Sequence, residues 1–134
     1  METRYSAAGA IALLTLTAAL AGCGSPASQL DEIQKKIDGL TATTRAIGES
    51  WLRGDVSPTF AKTAFLQTLR LLDDQRTSLT ESPQLLLDPR GAALSRRAEQ
   101  LSRVLAALVD AARQRDDGAA REHLSRIRAG ETSP

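Results

Sequence analysis

The apolar residues of this chain recur at steps of three and four positions, and this spacing constrains the fold more than any other feature. The longest regular run comprises Leu94, Ala98, Leu101, Leu105, Leu108 and Ala112. Because an α-helix turns once in about 3.6 residues, such steps place apolar side chains on one helix face. No segment of the sequence alternates polar and apolar residues over the length of a strand. The spacing predicts an all-α fold.

Three further stripes with the same spacing predict three further helices. The first stripe comprises Leu30, Ile33, Ile37, Leu40, Thr44, Ile47 and Trp51. The second comprises Phe65, Leu69, Leu72 and Leu79, with Ala61 and Leu66 beside it. The last comprises Ala120, Leu124 and Ile127, and Val104 and Val109 widen the long run described above. Helix is therefore expected over most of the chain beyond residue 28.

Residues that begin and end helices mark the boundaries of these segments. Ser28 is the predicted N-cap of the first helix, which ends near Arg53-Gly54. Ser57-Pro58 and Asp88-Pro89 begin the next two, because a Ser or Asp side chain caps free N–H groups and proline is tolerated in the first turn. The last helix follows Asp116-Asp117-Gly118 and ends near Gly130.

Four amphipathic helices joined by short loops predict an antiparallel four-helix bundle over residues 29–130. A three-helix coil with a loosely docked C-terminal helix is the alternative arrangement. Residues 131–134 are expected to form a disordered tail.

The first 22 residues have the layout of a secretory signal peptide. Arg4 and the terminal amine provide a positive start, and residues 7–21 form an uncharged, largely apolar run. This run is shorter than the ~20 apolar residues that a membrane-spanning helix needs. It therefore predicts an export signal.

The chain's only cysteine follows this run directly, in Leu20-Ala21-Gly22-Cys23. The segment resembles the lipobox of bacterial lipoproteins. The resemblance implies cleavage between Gly22 and Cys23, a diacylglyceryl group on the Cys23 sulfur, and acylation of the new N-terminus. The expected partner of Cys23 is therefore membrane lipid, with residues 23–28 as a flexible tether.

The resemblance to the lipobox also implies which membrane carries the protein. In enteric bacteria an aspartate directly after the lipidated cysteine retains lipoproteins in the inner membrane, whereas this chain has Gly24. The expected location is the outer membrane, facing the periplasm, or the cell surface where the source has a single membrane.

A second resemblance involves the segment DDGAAREHLSRI, residues 116–127. It is similar to the start of the last helix in cytochrome c-prime and related four-helix bundle cytochromes. The haem-attachment motif C-x-x-C-H that follows in that family is absent from this sequence. The resemblance therefore implies a shared scaffold without haem, and no cofactor is expected.

Composition argues against several function classes. The formal net charge of +1 does not favour a dedicated binder of nucleic acid, and Trp51, Phe60 and Phe65 are too few for a base-stacking platform. His123 is the only histidine and is expected at the core boundary, so neither a metal site nor a catalytic site is predicted.

Two classes of function remain, both non-enzymatic. The first is a structural or interaction module that presents a positive surface to an envelope protein. The candidate residues are Arg96, Arg97, Arg103, Arg113 and Arg121. These arginines could equally form a solvated face balanced by Glu99, Asp110 and Glu122. The second class is a carrier of a small hydrophobic ligand, in a pocket between helices near Trp51 and Phe65.

Overall fold

The structure, a computed structural model, describes residues 24–132, and side-chain surroundings up to residue 130. This part of the chain forms helices α1 (Pro26–Leu52), α2 (Pro58–Thr80), α3 (Pro83–Leu87), α4 (Pro89–Gln114) and α5 (Asp117–Thr132). No strand occurs among these residues, so the prediction of an all-α fold is confirmed. None of these helices combines the length and the apolar character needed to cross a membrane.

The four long helices pack as a bundle. Helix α1 contacts α2, α4 and α5, and α4 contacts α2 and α5 as well. Ion pairs Asp31–Arg90 and Asp38–Arg97 advance by seven residues on both helices, so α1 and α4 run in the same direction. Helices that are consecutive in the chain therefore alternate in direction. Helix α5 is docked through its buried apolar residues against α1 and α4.

Most residues of the predicted apolar stripes form the core, whereas Leu40 and Ile47 of the first stripe are half-buried at its edge. Every residue of the longest run, Leu94 to Ala112, is buried, as are Val104 and Val109. The buried face of α2 includes Leu72, and that of α5 includes Ala120. The second stripe differs at three positions: Leu66 is exposed, Leu69 is half-buried, and buried Thr68 fills the core face. The Thr68 hydroxyl donates to the Ala64 carbonyl at 2.8 Å, which satisfies its polar group inside the helix.

The first helix begins before its predicted start. Ser25, rather than the predicted Ser28, is the N-cap, and its side chain accepts from the Ser28 backbone N–H at 3.2 Å. Pro26 occupies the first turn, where its missing N–H does no harm. The segment expected to be a tether through Ser28 is thus helical from Pro26 onward. Only Gly24 lies between Cys23 and the N-cap.

A short helix, α3, packs against the end of the bundle where α1 begins. Pro83 lies in the first turn of this helix, which is only five residues long. Leu85 is buried beside the first turns of α1, whereas Leu86 and Leu87 are exposed. Gly91 of α4 lies directly against the Leu85 carbonyl oxygen and is within reach of the Leu30 side chain. Helices α3, α4 and α1 are therefore in close contact at this end.

Candidate functional site

A groove lies where α1, α4 and α5 meet. Its volume is about 460 Å³. It is lined by Asp38, Thr41, Arg97, Gln100, Leu101, Val104, Arg126, Ile127 and Gly130. The described part of α5 has 16 residues, against 27 in α1 and 26 in α4. At ~1.5 Å per residue, it is roughly 15 Å shorter than either neighbour.

Apolar side chains form the inner wall of this groove. Leu101 and Val104 of α4 and Ile127 of α5 are buried and line it. Thr41 is also buried, and its hydroxyl donates to the Ile37 carbonyl at 2.8 Å, which leaves its oxygen lone pairs available as an acceptor. The wall therefore suits an apolar group with little hydrogen-bonding demand.

Charged side chains form the rim of the groove. Arg97 donates to Asp38 across the α1–α4 seam at 2.7 Å, and Arg126 donates to Glu122 of its own helix at 2.7 Å. These pairs are exposed, so each stabilises the fold by about 1 kcal/mol at most and either arginine can turn toward a ligand. An apolar wall beside two guanidinium groups fits an amphipathic molecule with an anionic head.

A second, smaller groove lies between α1, α2 and α3. Its volume is about 220 Å³, and Ile33 and Leu85 contribute its apolar surface. The Lys36 ammonium group pairs with Glu32 at 3.1 Å beside it. This groove is about half the volume of the first, and its ion pair lies within α1, so it is the weaker candidate for a ligand.

Trp51 and Phe65, the residues of the predicted ligand pocket, are buried in the core. Neither lines either of the two grooves described above. Trp51 lies ten residues beyond Thr41 on α1, which is roughly 15 Å along the helix axis. A ligand pocket at these two aromatic residues stays a prediction.

The five arginines of the predicted positive surface are all exposed, but they have different surroundings. Arg97 reaches α1, as described above. Arg103 pairs with Glu99 at 3.3 Å and Arg113 pairs with Asp110 at 3.5 Å, both within α4. Arg96 and Arg121 form no ion pair among the described residues. Spacing places Arg96 and Arg103 on the side of α4 opposite its buried stripe.

His123 is partly buried on α5, and its Nδ1 atom is buried without a hydrogen-bond partner in the described part of the chain. Asp116 caps α5 by accepting from the Ala119 N–H at 3.0 Å, whereas Asp73 pairs with Arg76 at 3.3 Å. Among residues 24–132, no three histidine, cysteine, aspartate or glutamate side chains are grouped to hold a metal ion.

An ion pair holds α5 to the far half of α1. Arg128 donates to Glu49 at 2.6 Å, and the neighbouring contact places Leu124 against Gly48. The Arg128 hydrogen bond and positive charge lower the pKa of Glu49 below its ordinary value of 4.5, with smaller contributions from Arg45 and Arg53. Because folding lowers this pKa, the pair stabilises the protein above the unfolded pKa, and this stabilisation is lost as pH falls through the folded pKa.

We expect Arg128→Gln to raise the pKa of Glu49 toward 4.5. The substitution removes the positive charge of Arg128 and its hydrogen bond to Glu49, which is the largest cause of the lowered pKa. The change is measured by NMR titration of the Glu49 side-chain carboxyl carbon. Arg126→Gln is the matched control, because Arg126 bonds Glu122 of its own helix. A Glu49 titration that is the same in the two variants would show that Arg128 does not set this pKa.

The lipobox, including Gly22 and Cys23, lies outside the residues that the structure describes. Comparisons with protein families, curated proteins and solved structures find no match to this chain. The resemblances to bacterial lipoproteins and to cytochrome c-prime stay predictions.

Proposed function

We propose that this chain is an exported, lipid-anchored envelope lipoprotein whose helical bundle acts as a non-enzymatic interaction module. The observation that carries the proposal is the lipobox at residues 20–23, at the end of an uncharged apolar run and with the only cysteine of the chain. Two or three acyl chains on one residue give stable membrane anchoring, whereas a single chain holds only marginally. Gly24 after the cysteine favours the outer membrane.

We expect Cys23→Ser to abolish lipidation and to leave an uncleaved, mislocalised precursor, because the acyl acceptor is the thiol. The measurement is incorporation of radiolabelled palmitate, combined with the mass of the purified chain. Ser28→Ala is the control, since it changes an exposed hydroxyl five residues away. Unlabelled wild-type protein, or wild-type protein with residues 1–22 still attached, would contradict the proposal.

The interaction role is supported by the outer side of α4. Arg96 there has no ion pair among the described residues, and the exposed Arg103–Glu99 pair exchanges readily with a competing anion. An acidic envelope protein is the partner that this chemistry fits. In-cell crosslinking tests it: Arg96→Glu with Arg103→Glu is expected to remove a crosslinked partner that Lys35→Glu on α1 retains. Crosslinks that all three substitutions leave unchanged would exclude this surface.

Carriage of a small hydrophobic ligand is the second candidate function, and the groove between α1, α4 and α5 favours it. A medium-chain fatty acid is a suitable probe, because its carboxylate fits the arginines and its chain fits the apolar wall. Binding is expected to shift the amide NMR signals of Thr41, Gln100 and Gly130. The amides of Gln75 and Ser78, at the smaller groove, are the internal control. Shifts of equal size at both grooves would indicate non-specific adsorption and exclude a carrier site here.

A further inference from the structure

Two exposed leucines lie at the end of the bundle that is nearest to the lipobox in sequence. Leu87 is 84% exposed and is the most exposed large apolar side chain in the described part of the molecule; Leu86 is 36% exposed. The preceding Leu85 is buried against α1 and fixes the position of α3. Single exposed leucines are ordinary, but here two adjacent ones lie on a helix whose third leucine holds it in place.

Charged side chains are few around these leucines: Asp88 follows Leu87 directly and is exposed, and Glu81 comes before the approach to α3. Residues 24–28, at the start of α1, and residues 82–87, which form the approach to α3 and α3 itself, contain no charged side chain. The nearby Arg90 is engaged by Asp31 and Gln34 of α1, so its charge is held at the side of the bundle. The exposed Asp88 limits this end to a shallow approach to lipid, because removing its charge from water is costly.

The covalent distance between Cys23 and this end is short. Helix α1 begins at Pro26, three residues after Cys23, so a fully extended link spans at most about 11 Å. The interfacial layer of a bilayer is roughly 5–8 Å thick on each side of the hydrocarbon core. A chain whose Cys23 is acylated, as in the proposed function on which this step rests, therefore holds α3 close to the lipid headgroups.

We propose that Leu86 and Leu87 form a membrane-contact surface that inserts into the interface of the bilayer carrying the lipid anchor. The occupant of this surface is a lipid surface, because the anchor brings lipid to this end and the leucine pair offers it apolar contact. The anchor and the leucine pair then form two points of attachment. The bundle consequently stands on the membrane with the start of α1 downward.

The test uses the full chain, produced in a bacterium that processes lipoproteins and reconstituted in phosphatidylglycerol–phosphatidylethanolamine vesicles. Leu87→Trp is compared with Leu66→Trp, an exposed leucine on the side of α2 away from the core. Trp51 is kept in both variants, and its emission, measured in the unsubstituted chain, is subtracted. Some of the lipids are brominated near the headgroup end of their acyl chains, so that they quench tryptophan at the interface.

Quenching at position 87 is expected to exceed quenching at position 66 by about threefold or more, since only the former enters the interface. Equal quenching, in protein whose mass shows a lipidated Cys23, would overturn this inference and leave the proposed function intact. A mass showing an unmodified Cys23 would overturn both. An apolar emission spectrum of Leu87→Trp before vesicles are added would mean that protein covers this surface, and would also overturn the inference.

Discussion

Replacing Gly91 with alanine is expected to destabilise the protein by about 3 kcal/mol or more, because overpacking against a fixed backbone has no cheap relaxation. A Cβ atom at this position would overlap the carbonyl oxygen of Leu85 and its carbon. These are backbone atoms of α3, so the methyl group cannot be accommodated by a change of side-chain rotamer. Helix α3 would have to separate from α4, which exposes Leu85.

The free energy of unfolding, from urea titrations followed by circular dichroism, measures this effect. Gly39→Ala is the matched control, because Gly39 is inside α1 and an added Cβ meets nothing within 4 Å. Alanine there is expected to stabilise the protein by about 0.5–1 kcal/mol, through better helix propensity. The two identical substitutions should therefore have opposite signs. A Gly91→Ala protein as stable as the wild type would show that α3 does not pack against α4 as described.

Replacing Leu105 with alanine is expected to destabilise the protein by about 2–5 kcal/mol, the range found for buried leucines. Leu105 is fully buried on α4, in the face that α1, α2 and α5 surround. Close packing on all sides leaves little freedom for neighbours to fill the cavity, so both the transfer and the cavity contributions apply. Leu101→Ala is expected to fall in the same range.

The control for Leu105→Ala is Leu66→Ala on α2, where the leucine is 40% exposed and points away from the core. Its effect is expected to stay within about 0.5 kcal/mol, as for surface positions in general. The same urea titration measures both. A loss below about 1 kcal/mol for Leu105→Ala would place this residue outside a well-packed core.

The faces of the long helices could be predicted from the sequence because burial follows the helical period directly. Leu94, Leu101 and Leu108 are buried for the same reason that they recur at steps of seven. The prediction of buried positions on α2 failed at a leucine, a residue that occurs both in protein cores and on surfaces. Leu66 was included beside the stripe, yet its side chain is 40% exposed, and the smaller Thr68 occupies the core face.

The start of α1 could also have been predicted, since Ser25-Pro26 is the same signal as Ser57-Pro58. Ser28 competed with it, because both serines can cap a helix and Ser28 precedes the first acidic residues of the helix. Proline decides between them: it fits the first turn, and its ring already has the backbone angle of a helix. The same reasoning applies to Ser82-Pro83, which begins α3.

The groove between α1, α4 and α5 could not be predicted from periodicity, because it depends on how the three helices are placed relative to one another. Its residues Asp38, Gln100 and Arg126 resemble ordinary surface residues in the sequence. The available signal was the unequal length of the helices, combined with Thr41 on the buried side of α1. The register of a helix determines which part of its neighbours it covers. This register is set by packing between residues that are distant in the chain.

The early start of α1 limits how far an anchored bundle could reach. A helix of 27 residues is about 40 Å long, and a link of about 11 Å adds little to it. A domain anchored as proposed diffuses within a thin layer above the bilayer and not through the whole compartment. Confinement of two molecules to one such layer raises their effective concentration toward each other. A partner anchored in the same membrane could therefore be bound through contacts that would be too weak between freely diffusing proteins.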